Sequence, residues 1–247
     1  MKALLVVGLF LFLTGCASGE HISLVANSYQ QSLVRDGVPT LISTEKQVVM
    51  LRPATSTMRR GDRPKFVVAV YNRSKRPMEL RVSDVTASQS GPQRTAIHVY
   101  SYDELVAEVR RKQAWAAVGV ALSGAAGAIN AANAGYTTTY GTYSSGPYSG
   151  TYSATTYDAG RAYAAQSINN AETAENFAAI QAQGQQRLGE LQNNILKDNT
   201  VLPGEWIGGI VVLDRPAKGA DDVARYEIDV RFGDEVHSFT VNQARSS

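Results

Sequence analysis

The chain of 247 residues contains one cysteine, Cys16, and three histidines. A single cysteine excludes an internal disulfide and any metal site built from two or four thiolates. His21, His98 and His237 lie far apart and share no ligand-like spacing. An excess of one charge is also missing: 24 Lys and Arg face 22 Asp and Glu, and only Arg110, Arg111 and Lys112 form a basic run. Without a basic stripe to follow a phosphate backbone, nucleic acid is not an expected partner. No nucleophile–base pair, no pair of carboxylates and no phosphate-binding glycine loop can be picked out, so neither a reaction nor a small-molecule substrate is expected. The most conspicuous absence is local, since Gln113 to Tyr157 carries no charged residue at all.

What is present begins with a leader. Lys2 supplies a short basic region and Ala3 to Leu13 an apolar one. That run is too short for a permanent span, which needs about 20 residues, and it reads as a secretory signal over residues 1–15. Leu13-Thr14-Gly15-Cys16 resembles the lipobox of bacterial lipoproteins. The resemblance implies cleavage before Cys16, a diacylglycerol on its thiol and an acyl group on its amine. Several acyl chains, at about 0.8 kcal/mol per buried methylene, make a stable anchor. The residue after Cys16 is Ala17 rather than Asp, which in the enterobacterial sorting pattern points to the outer membrane, with the folded part in the periplasm. No other cofactor is expected. Residues 16–45 show no strong periodicity and read as the lipidated N-terminus and a tether.

From Lys46 short β-rich runs follow. Lys65 to Asn72 puts Phe66, Val68 and Val70 on one side. Tyr226 to Phe232 alternates, with Tyr226, Ile228, Val230 and Phe232 inward and Glu227, Asp229 and Arg231 outward. Gly233-Asp234 is a hairpin link to Glu235 to Val241. About seven strands in all suit an immunoglobulin-like β-sandwich assembled from residues 46–101 and 204–242. The expected class is mainly β plus α, the sandwich being interrupted by a long antiparallel helical hairpin over residues 102–200.

Ser101-Tyr102-Asp103-Glu104 fits a capping box, and a helix of about 33 residues can run from there to Gly135. Asp158 is a good N-cap for a second helix reaching about Lys197. In it Phe177, Ile180, Gly184, Leu188, Leu191 and Ile195 recur at helical steps, as a packing seam does. In the first helix Gly119, Ser123, Gly127, Ala131 and Gly135 recur every four residues. This ridge resembles the glycine-zipper stretches of some bacterial envelope proteins, in which small side chains let helices approach closely. Between the helices Tyr136, Tyr140, Tyr143, Tyr148, Tyr152 and Tyr157 stand among Thr, Ser and Gly. Tyr offers broad contact area at low entropic cost, so this tip, residues 136–157, is either a contact surface or a disordered loop.

The expected function is that of a lipid-anchored envelope protein, a structural or interaction component of an outer-membrane-associated assembly. Its partners would be the membrane, through the anchor, and an envelope protein or a second copy. The alternative is an oligomeric channel or secretion subunit whose hairpins form an α-helical pore.

Overall fold

The computed structural model describes residues 19–35, 37–89, 94–145, 148–219 and 222–245. The leader and Cys16 lie outside the described residues. The chain is mainly β with two helices. It divides into two compact units, one of Met1–Ser101 with Ile195–Ser247 and one of Tyr102–Asn194.

The strands before the first helix are β1 (Gly19–Val25), β2 (Gln30–Arg35), β3 (Val38–Thr44), β4 (Val48–Pro53), β5 (Thr57–Arg59), β6 (Lys65–Tyr71), β7 (Met78–Leu80), β8 (Val85–Gln89), β9 (Thr95–Ile97) and β10 (Val99–Tyr100). Helix α1 (Tyr102–Asn133), strands β11 (Tyr136–Ser145) and β12 (Tyr148–Tyr157) and helix α2 (Ala159–Asn194) make the second unit. The chain returns with β13 (Asn199–Val201), β14 (Trp206–Leu213), β15 (Ala224–Phe232) and β16 (Glu235–Arg245).

In the first unit one sheet has the order β5-β1-β16-β15-β8-β9 and the other β10-β14-β6-β4-β3-β2, with β13 paired to β7 beside them. The strand pairings of this unit are antiparallel. Alternation places the core: Ala224, Tyr226, Ile228, Val230 and Phe232 of β15 are buried, as are Phe66, Val68 and Val70 of β6. These residues belong to one hydrophobic cluster drawn from both sheets, in which the Phe66 and Tyr226 rings meet edge to face at 6.2 Å. Each large apolar side chain fully buried there contributes about 1.5–3 kcal/mol. At the β15–β16 turn Gly233 has φ 66°, a left-handed conformation that glycine adopts without strain.

The expected tether is corrected. Residues 19–44 hold three strands, not a leash: β1 pairs along β16, β2 along β3 and β3 along β4. Ile22 and Leu41 sit in the core at 1% exposure each. Their periodicity is hidden by polar residues that also point inward. Glu20 is buried beneath Lys218, whose Nζ lies 3.0 Å from its Oε1. Gln243 donates to the second oxygen of Glu20, and the Tyr226 hydroxyl donates to Gln243 at 3.3 Å. Once hydrogen-bonded, such groups can face a core that an apolar pattern alone would deny them.

The return strand is fitted just as closely. Leu196 donates to the Ile210 carbonyl at 2.9 Å, and its backbone passes where a side chain on Gly209 would stand, so position 209 admits only glycine. Asn72 is fully buried and satisfied: it donates to the Arg76 and Val201 carbonyls and accepts from Ser74.

Candidate functional site

In the second unit α1 and α2 lie antiparallel. Side chains of α2 reach two glycines of α1: Thr173 lies against Gly124 and Asn169 against Gly127, while beyond the end of α1 Tyr157 of β12 lies against Gly135. From the other side Gln113 lies against Gly184 of α2. A methyl at Gly124 would fall 2.9 Å from the Thr173 hydroxyl, and one at Gly127 1.9 Å from Asn169 Oδ1. Asn169 also donates to the Gly124 carbonyl at 3.2 Å. Close approach therefore lets a polar side chain of one helix bond the backbone of the other. The expected seam of α2 is found over most of its length: Phe177, Ile180, Leu188 and Leu191 are partly covered and Gly184 is buried, but Ile195 lies past the end of α2 and bridges to Ile210 of β14. Asp158 caps α2, accepting from the Gly160 and Arg161 backbone at 2.8 and 3.2 Å.

The ridge on α1 is only partly on this face. Gly127, Ala131 and Gly135 are covered, but Gly119 and Ser123 are exposed, and nothing stands within 4 Å of a side chain at 119. A step of four residues advances about 40° past a full turn, so the ridge winds about 120° around the helix between 119 and 131, and Gly135 lies beyond the helix end. The covered stripe instead alternates steps of three and four through Gln113, Ala117, Val120, Gly124, Gly127 and Ala131. Gly124, absent from the ridge as read from the sequence, is central to it.

Opposite that stripe α1 presents Trp115, Val118, Leu122 and Ile129, exposed by 70, 48, 69 and 66%. In a water-soluble helix pair this is the face that charge normally occupies. Here the helix is uncharged from Gln113 onward, and by length and composition it is long and apolar enough to cross a membrane, with almost none of its most apolar stretch buried.

The Tyr-rich tract is neither a loop nor shapeless. β11 and β12 pair over ten consecutive positions without a bulge, from Tyr136–Tyr157 to Ser145–Tyr148. Thr and Tyr favour the pleated backbone, and the pairs interlock. Tyr136 and Tyr157 rings lie 4.8 Å apart, and the Thr138 and Thr155 hydroxyls are 3.0 Å apart. The Tyr152 ring covers Gly141 and the Tyr143 ring covers Gly150. A tyrosine laid over a cross-strand glycine restores the packing that the glycine lacks. Tyr136, Tyr140, Tyr143, Tyr152 and Tyr157 are all more than half exposed. The side chain of Tyr148 is outside the described ones. No third strand joins the ribbon among the described residues.

One cluster in the β unit has the look of catalytic machinery and was not anticipated from the sequence. His237 Nδ1 lies 2.9 Å from Ser43 Oγ, and its Nε2 lies 3.6 Å from Glu235 Oε2. The arrangement is structural. Glu235 accepts from the Lys46 and Gln47 backbone at 3.0 and 2.9 Å, which ties it to the turn before β4. Ser43 and His237 are exposed by only 5 and 1%, so no substrate can reach them, and the contact joins β3 to β16 across the two sheets. Burial pushes the His237 imidazole below its ordinary pKa, against the opposing pull of Glu45 and Glu235. Among the described residues no cluster of His, Cys, Asp and Glu could hold a metal ion.

The chain matches no family model, no curated protein and no solved structure.

Proposed function

We propose that this is a lipid-anchored cell-envelope protein, a structural or interaction component of an outer-membrane-associated assembly. In this reading the β unit is an immunoglobulin-like sandwich and the second unit a helical hairpin, inserted in it and presented to partners. Residues 136–157 are its contact tip. The observation that carries the reading is the surface of the second unit. An uncharged helix face and an uncharged ribbon of exposed tyrosines remain after the helix seam has been filled. Exposed apolar surface of this extent, rimmed by polar residues, marks contact with something else. The anchor is read from Leu13 to Cys16 alone. No enzymatic role is proposed.

The test is site-specific photocrosslinking in cells. A photoreactive residue replaces Tyr140 or Tyr143 in the ribbon, and the exposed Glu172 of α2 serves as the control position. Adducts confined to the ribbon positions are the expected result. Equal or absent adducts at all three positions reject the contact role. Cys16→Ser should release the protein from membranes, and retention would refute the anchor.

A second reading, an oligomeric channel whose hairpins form an α-helical pore, is favoured by the apolar window of α1. Against it stand Arg161, Glu172, Glu175 and Arg187 of α2, all exposed. Only a ring that turned α2 toward a water-filled lumen could carry those charges through lipid.

A further inference from the structure

We propose that the Tyr/Thr ribbon associates edge to edge with the same ribbon in further copies of this chain, β12 of one copy pairing antiparallel with β11 of the next. This rests on the contact role given above to the second unit and supplies the partner that reading leaves open. The ribbon is two strands of ten residues, about 34 Å long. In any antiparallel pair alternate residues turn their backbone N–H and C=O away from the partner strand, so both outer edges carry unmet donors and acceptors. Folded proteins blunt such edges with charge, proline, bulges or a covering element. Along the strands here charge, proline and bulge are all missing: Tyr136 to Tyr157 has no Lys, Arg, Asp or Glu, the register is unbroken, and the single proline, Pro147, falls between the strands. A lone two-stranded ribbon is marginally stable in water, and added strands are what stabilise it.

The choice of a second copy follows from symmetry and size. The two edges are the same length and carry no charged residue of their own, and the Arg161 guanidinium that donates to the Thr137 hydroxyl at 3.1 Å stands at the start of β11 only, so neither edge repels the other. One ten-residue edge offers much less than the roughly 800 Å² per partner of a standard interface. Association becomes cumulative only when each copy uses both of its edges. Copies held by Cys16 in one membrane are related by rotation about its normal, which keeps all ribbons running in the same sense. Under that rotation β12 of one copy meets β11 of its neighbour antiparallel, and closing the ring leaves no edge open. Two β11 strands cannot meet antiparallel in that arrangement.

The experiment is disulfide trapping in the full chain, extracted from membranes in mild detergent. Two differently tagged chains are co-expressed, one with a cysteine at Thr138, Thr139 or Tyr140, the other at Ser153, Ala154 or Thr155. The chain without an added cysteine reports any background from Cys16. The expected result is covalent dimers between a β11 cysteine and a β12 cysteine, exceeding β11–β11 and β12–β12 dimers by about tenfold, because only facing strands meet the distance a disulfide needs. Thr139→Lys with Thr155→Lys should reduce the yield by roughly tenfold by charging both strands, while Thr139→Val with Thr155→Val preserves it. Trapping of same-strand dimers alone, equal yields from the Lys and Val pairs, or no dimer at any concentration overturns the proposal. Should the Lys pair misfold by circular dichroism, the trapping arm still decides. Photoadducts from Tyr140 to a different protein, with no self-trapping, would sink this inference while leaving the contact role standing. Absence of both would sink the two together.

Discussion

The two units solve the same problem of stability in different ways. In the β unit every second residue of β6 and β15 disappears into a core shared by two sheets. In the helical unit the 32 residues of α1 bury only Leu105, Val106 and Ala131, and the 36 of α2 only Ala162 and Gly184. One unit holds itself by hydrophobic burial. The other joins its helices by backbone proximity, a narrow seam and the hydrogen bond from Asn169 to the Gly124 carbonyl. A surface that buries little of itself is suited to being buried by something else.

The largest effect should come from the core. Phe66→Ala removes a fully buried ring and is expected to cost about 3–5 kcal/mol in urea unfolding monitored by β-sheet circular dichroism. A cost below about 1 kcal/mol would mean the two sheets do not depend on one another. Next comes the seam. Gly124→Leu must displace Thr173 where the helices approach closely, and overpacking of this kind costs about 1–3 kcal/mol. Its signature is faster proteolysis within residues 102–194 while the β unit's unfolding midpoint stays put. Loss of both together would make the two units one cooperative structure.

A smaller effect depends on pH. Burial lowers the pKa of His237 in the folded state, so the unfolded chain binds that proton more readily. Stability is therefore full above the ordinary histidine pKa and declines as pH falls below it. The β unit's unfolding midpoint should be lower at about pH 5.5 than at about pH 7.5, and His237→Gln should flatten the dependence. A midpoint that rises on acidification would contradict this. The smallest effect is a gain. Gly119→Ala meets nothing within 4 Å and should raise helix stability by about 0.5–1 kcal/mol. If it destabilised instead, Gly119 would belong to a packing face after all.

Much of this architecture can be read from residues whose local pattern agrees with their tertiary role. Tyr226 to Phe232 alternates, Asp158 caps α2, and the steps of α2 from Phe177 to Leu191 mark its covered side. The strands at residues 19–44 escape such reading because Glu20 and Ser43 occupy inward positions and find their partners in Lys218, Gln243 and His237, up to 223 residues away in sequence. The ribbon escapes it for another reason. Tyr143 over Gly150 and Tyr152 over Gly141 make sense only once the register is known, and composition alone cannot distinguish a Tyr/Thr/Gly ladder from low complexity. Gly119 and Ser123 fall off the packing face through geometry, since a spacing of four is not the period of a straight helix.

The start of β1 has a mechanical consequence. Gly19 already pairs with Arg59, and Glu20 with Arg245. From Cys16 to Gly19 there are three Cα steps, about 11 Å at full stretch. With the proposed acyl chains on Cys16, that is the entire leash. The corner of the β unit where β1 begins would then stay within about 11 Å of the lipid headgroups, leaving no gap there for another folded domain.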